Sequence, residues 1–167
     1  MNDLTITNTP DRVAFRQKIL ALEKQMQDAI AGGAPSALDD CSLIHHFTPK
    51  DEKYGCVNYG RQIFVPKGTL AIGKIHKHAH LNFVMKGKAL VATESGVERL
   101  EAPYVFVSEP GTKRAVLAED DLIWVTSHLV GHGREADLLE IEHEVIAKDY
   151  AELGLIDSVN DLFRLEG

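Results

Sequence analysis

Long apolar runs are missing from this 167-residue chain. None approaches the roughly 18–20 residues that cross a bilayer as a helix, so no membrane span is expected. Basic clusters are missing as well. With 18 Lys and Arg against 25 Asp and Glu, the formal net charge is −7. No Lys/Arg run offsets it, so nucleic acid and anionic membrane surfaces are disfavoured as partners. Cysteine is scarce: Cys41 and Cys56 are the two, and they lack C-x-x-C spacing. That pattern reads as free thiols in a cytoplasmic protein rather than a disulfide framework. The opening MNDLTITNTPDRVAF has no basic start followed by an apolar stretch, so no secretory signal is expected. The G-x-S-x-G elbow, the phosphate loop and the Rossmann glycine pattern are absent too. Cys56, in YGCVNYG, has no base placed beside it and is not expected to be a nucleophile.

What is present fits one globular domain with its own core. Apolar residues make up 44% and charged residues 26%. The first segment reads as a helix. Thr9 suits the N-cap, Pro10 the first helical position and Asp11 the positive end of the dipole. Phe15, Ile19, Leu22, Met26 and Ile30 form an apolar stripe that Gly32-Gly33 stops. It packs on its own domain or against another copy of the chain. From Cys41 onward the pattern changes to short strands: SLIHHF, VNYGRQIFV, GTLAIGKIHKHA, HLNFVMKGKALVAT, VERLEA, YVFVS, KRAVLA and DLIWVTSHLV. Pro49, Pro66-Lys67-Gly68, Lys86-Gly87, Ser95-Gly96, Pro103 and Pro110-Gly111 separate them. About eight strands without intervening helix predict an all-β antiparallel barrel or jelly roll. The chain then divides into a helical extension over residues 1–40, a barrel over 41–133, and a helical segment with a tail over 134–167 packed outside it.

Histidines concentrate in GTLAIGKIHKHAHLNFVMKG, where His76, His78 and His80 alternate by two. Strand alternation puts such residues on one face, about 6–7 Å apart. Asn82 and Val84 share the face of His80, leaving Leu81, Phe83 and Met85 outward and in need of a cover. The N-terminal stripe or a second subunit is the candidate. His45 and His46 point to opposite faces, and His132 and His143 read as surface residues. Tyr54, Tyr59 and Tyr104 could line the mouth but read first as packing residues. The parity of the last strand is open. Leu122, Trp124, Thr126 and His128 share one face, Ile123, Val125 and Ser127 the other, and both are core-compatible.

This region resembles the cupin superfamily, whose first motif is G-x5-H-x-H-x3–4-E-x6-G. Gly68, Lys74, His76, His80 and Gly87 fall at its intervals, with Lys74 in place of the first histidine and His80 in place of the glutamate. The second motif, P-x-G-x2-H, is similar to EPGTKR, with Glu109 at the proline position, Gly111 retained and Arg114 at the histidine position. The likeness spans roughly residues 55–130. The wording also resembles small cupin-like proteins of phage genomes. The resemblance implies a single jelly-roll barrel with its site inside and frequent dimerisation.

The substitutions leave two chemistries open. Two unit charges about 4 Å apart interact by about 4 kcal/mol at an effective dielectric near 20, so Lys74 and Arg114 oppose a cation between them. Metal binding then needs other ligands. His76 and His80 would be joined by His78, if the chain turns there, or by His128, if it points inward. Zinc, iron, manganese or nickel would suit such imidazoles. The alternative is a metal-free cationic pocket in which Lys74, Arg114 and Asn82 hold an anionic small molecule. His76 or His80 then serves as acid or base in an isomerase-, epimerase- or oxygenase-like reaction. A different class also fits: a structural or accessory protein of virion type, in the host cytoplasm or the particle, with a vestigial pocket. A filled interior would favour that reading; an open polar one would favour a binding site. Homodimers or higher homo-oligomers are expected in either case.

Overall fold

The computed structural model describes residues 8–131, 133–134 and 137–165. His132 lies outside them. Helix α1 (Pro10–Ala31) begins with Pro10 after Thr9 and ends at Gly32. Eleven strands follow among the described residues: β1 (Ser42–Phe47), β2 (Val57–Val65), β3 (Leu70–Ile72), β4 (Ile75–His76), β5 (His80–Lys86), β6 (Lys88–Thr93), β7 (Gly96–Glu101), β8 (Tyr104–Ser108), β9 (Ala115–Ala118), β10 (Leu122–Val130) and, after helix α2 (Leu138–Val145), β11 (Ile146–Ala147). Helix α3 (Val159–Leu165) comes last. Among the described residues no helix is long and apolar enough to cross a membrane.

Three antiparallel sheets result, ordered β1-β2-β10-β5-β8, β3-β9-β6-β7 and β11-β4. The crossovers make the two larger sheets a jelly roll, as the strand count and turn spacing predict. Their inner faces close one end of the barrel. Val65, Val84, Leu122 and Trp124 from the first sheet pack with Ala89, Val91, Leu100 and Ala118 from the second. A second cluster, Val57, Tyr59, Val130, Ile141 and Val145, joins the other end to α2. Gly87 links β5 to β6 with φ +86°, and a Cβ there would lie 2.3 Å from the Asp121 carbonyl oxygen. The motif glycine is thus required both by its backbone angle and by a close chain approach.

One expectation is corrected. The buried face of α1 is Val13, Arg16 and Ile19, while Ile30 is 42% exposed. A charge pair sets this rotation. Arg16 donates from Nε to Glu94 Oε1 (2.6 Å) and from Nη2 to Glu94 Oε2 (3.0 Å). Its Nη1 reaches Asn8 Oδ1 and the Ile156 carbonyl. The helix is therefore anchored at the β6–β7 turn and does not cover Leu81 and Met85, which are 42% and 61% exposed. The segment after residue 134 forms short helices, as its helix-prone composition predicts, and adds a strand. After α2 it returns as β11, pairing Ile146 with His76 and Ala147 with Ile75.

Candidate functional site

The inner face of the first sheet is laid down in rows by its register. One row is Leu43, Ile63, Trp124 and Val84; the next is His45, Arg61, Thr126 and Asn82; the third holds Phe47, Tyr59 and His128, with His80 and Ser108 across it. Parity along β10 is therefore settled: His128 faces inward and is 6% exposed. His80 comes from β5 at 5% exposure, and His76 enters from β4. The ligand nitrogens of His76, His80 and His128 lie within 4.8 Å of one another. Ring centroids are 4.2 Å apart for His76–His80, 4.6 Å for His80–His128 and 5.2 Å for His76–His128.

The three rings are held as neutral bases. Burial, followed by the charges of His80, His128, Arg114 and Arg61, pushes His76 down to about 2. Burial, followed by His80, Arg61 and His78, pushes His128 down to about 4. Burial also lowers His80, against the hydrogen bond that its Nδ1 makes to the His78 carbonyl (3.1 Å). That bond places the proton on Nδ1 and leaves the Nε2 lone pair free, as in a metal-ligating histidine whose other ring nitrogen donates to a backbone carbonyl. His80 Nε2 and His76 Nδ1 are buried with no hydrogen-bond partner. Leaving such atoms unmatched is unfavourable unless something else occupies the space between them.

The donor set fits a divalent transition ion. Three neutral imidazole nitrogens make a three-protein-ligand site with a fourth position open. Tetrahedral zinc spaces its nitrogens by about 3.3 Å, so the rings need only close slightly on the ion. Among the described residues no carboxylate belongs to the cluster.

Other candidates fall elsewhere. His78 is exposed and outside the cluster; it contributes its carbonyl, not its ring. Lys74 is exposed and paired with Glu142, away from Arg114. The reason is local: β3 ends at Ile72, and the Gly73-Lys74 interruption breaks the alternation that would have turned Lys74 inward. Arg114 is interior, 9% exposed, donating from Nη1 to Asn82 Oδ1 (2.8 Å) and from Nη2 to Ser108 Oγ, with Phe106 and Trp124 rings against it. Asn82 is fully enclosed. Its Oδ1 also accepts from Trp124 Nε1 (3.0 Å), and its Nδ2 donates to Ser108 Oγ and the His80 carbonyl. With every polar position used internally, Asn82 orders the floor of the site rather than touching a ligand. His46 lies on the outer face beside Gln62, and His143 is exposed. Tyr54 and Tyr104 are exposed. Tyr59 packs inside, bonded through its hydroxyl to His45 Nδ1 (2.7 Å) and tilted against His128.

Arg61 was not among the residues singled out by the motifs, yet it points into the barrel. Its signal was present in VNYGRQIFV: Val57, Tyr59, Arg61, Ile63 and Val65 share one parity, so a cation stands in an otherwise apolar row. The interior opens on this side. Leu43 is 46% exposed although it faces inward, and His45 and Arg61 are half-buried. A separate cleft of about 310 Å³ lies between α1 and the segment after β11, lined by Glu23, Lys74, Lys113 and Tyr150, and the histidines do not reach it. We take the histidine cluster as the site because the cleft's Lys74 and Lys113 are already paired with carboxylates.

The neutral imidazoles make stability depend on pH. With folded values below the unfolded value near 6.5, the unfolded chain takes up protons first as pH falls. Stability is then full above about pH 6.5 and is lost as pH drops toward 4 for His128, with His76 acting in the same direction. From pH 7 to 5, His128 alone accounts for about 2 kcal/mol. Urea unfolding of metal-free protein at the two pH values measures it. A His128→Gln protein with an undiminished pH slope contradicts the assignment.

No family model and no curated protein matches the chain. Solved structures similar to it include ectoine synthase from P. lautus (13% identity, 61% of this chain and 72% of that one, TM-score 0.47). The Cupin_2 domain of an XRE-family transcriptional regulator from Enterobacter cloacae is similar at 14% identity, over 56% of this chain and 98% of that one, with a TM-score of 0.42. A variant of salicylate 1,2-dioxygenase from Pseudoaminobacter salicylatoxidans is similar at 14% identity, over 78% of this chain and 36% of that one, with a TM-score of 0.48. At such identities and TM-scores the likenesses assign neither family nor activity. The chain has a jelly-roll fold by its own strand order and turn glycines.

Proposed function

We propose that the protein is a metal-dependent small-molecule-binding cupin, with His76, His80 and His128 holding a divalent transition ion inside the barrel. The observation that carries this reading is the pair of buried, unpartnered nitrogens, His76 Nδ1 and His80 Nε2, in a triad with His128 whose ligand nitrogens lie within 4.8 Å of one another. A bound ion would supply Lewis acidity at its open coordination position. The chain's own part is to present neutral nitrogens, fix the His80 tautomer through the His78 carbonyl, and keep the floor dry with Trp124, Phe106 and the Arg114–Asn82–Ser108 network. The interior is apolar at one end and carries the polar row and the histidines at the other. That favours a binding site over a vestigial barrel serving only as an interaction module. Within this reading His76 and His80 act as ligands, not as acid and base.

The test is titration of chelator-treated protein with zinc and with cobalt(II), followed by elemental analysis after desalting. One equivalent per chain is expected, with cobalt showing the visible absorption of a low-coordinate nitrogen site. Less than about a tenth of an equivalent of any transition metal overturns the proposal.

A further inference from the structure

Next to the histidine row lies a row that the metal does not use. Register places Arg61 and Asn82 on either side of Thr126. Asn82 is saturated through Arg114, Ser108 and Trp124. Thr126 and Arg61 are not. Thr126 Oγ1 is buried with no hydrogen-bond partner. Arg61 makes no hydrogen bond or ion pair to a carboxylate among the described residues, and burial lowers its guanidinium, with Tyr59 as its charged-form partner. A carboxylate beside it would do the reverse. Arginine stays charged in proteins, and a half-buried fork without an anion gives up part of its hydration uncompensated. The charge balance points the same way. Three neutral imidazoles leave the +2 of a bound ion uncompensated, and Arg61 stands in the register row next to that of His128 as a further positive charge.

We propose that Arg61 and Thr126 form a carboxylate-binding subsite. It takes a small organic acid whose second oxygen donor fills the open coordination position at His76, His80 and His128. This rests on the metal reading above. The Thr126 and His128 positions are one same-face step apart on β10, about 6–7 Å. That separation suits a ligand with two oxygen groups a few bonds apart, such as a short dicarboxylate. Arg61 meets the carboxylate as a two-pronged donor, and the Thr126 hydroxyl adds a third bond. The open side beside Leu43 and His45 gives such an acid its way in.

The test is linkage between acid and metal. Cobalt(II) affinity is measured by competition with a chromophoric chelator, with and without succinate, and the ratio is taken within each protein. Wild type is expected to bind cobalt about tenfold more tightly with succinate, within the usual range of site–site coupling. The neutral succinamide gives no such gain. Arg61→Leu is expected to lose the gain, and Thr126→Val, which preserves shape if the arginine variant misfolds, to reduce it severalfold. Equal gains in wild type and both variants, or no gain in wild type, overturn the subsite. If no protein binds cobalt, the metal reading fails on its own. Calorimetry of succinate with metal-free protein then decides: binding that depends on Arg61 sustains the subsite, and its absence rejects it.

Discussion

Chelator-treated His128→Ala protein is expected to bind zinc at least ~100-fold more weakly than wild type, while His78→Ala binds as wild type does. Changes to groups behind a metal ligand already cost about 10–100-fold, so removal of a ligand should cost more. The contrast is informative because the motif places His78 between His76 and His80, whereas His128 lies far along the chain on β10. Geometry decides between the two: His128 shares the cluster, and His78 offers only a carbonyl, which alanine retains. Circular dichroism and the apo melting curve check that the barrel survives, and His128→Gln, closer in volume, serves as a second variant. If His78→Ala weakens zinc and His128→Ala does not, the triad is wrongly assigned.

Arg16→Met is expected to destabilise the fold by about 3–5 kcal/mol in chemical denaturation. The side chains of Arg16 and Glu94 are 1% and 9% exposed and meet through two parallel hydrogen bonds. Removing the guanidinium strands a desolvated carboxylate, which is the expensive half of the change. Arg12, 3.7 Å from Glu94 Oε2, offsets part of it. A second substitution, Glu94→Leu, should therefore recover much of the loss, so the two changes are not additive. The ring of Tyr150 lies against the Arg16 guanidinium at 5.3 Å, tying the tail to the same post. A loss below about 1 kcal/mol would mean that the pair is solvated and that α1 is held by its apolar residues instead.

Much of the barrel was legible because its signals are short-range. SLIHHF, VNYGRQIFV and YVFVS coincide with β1, β2 and β8, each bounded by turn residues whose backbone needs are local. The site was legible only in part. His76 and His80 fell at motif intervals, but the orientation of His128 was hidden because Ile123 and Val125 make the outer face of β10 as apolar as the inner one. Spacing also promoted Lys74, since interval counting assumes an unbroken strand and β3 stops at Ile72. The α1 stripe misled because apolar periodicity does not register a buried charge pair: Arg16, bonded to Glu94, shares the buried face with Val13 and Ile19. The strand β11 escaped because two residues are too few to show a period inside a charged, helix-prone stretch.

That short strand has a consequence for traffic through the barrel. His76 stands on a two-residue strand whose ladder partner among the described residues is Ile146–Ala147. Residues 146–147 thus act as a clasp on one of the three histidines, beside the backbone bonds of His76 to Gly111 and Thr112. If the triad holds an ion as proposed, ion and clasp would stabilise each other by reciprocity. Loading or stripping the ion would then be coupled to local unpairing of β4 from β11.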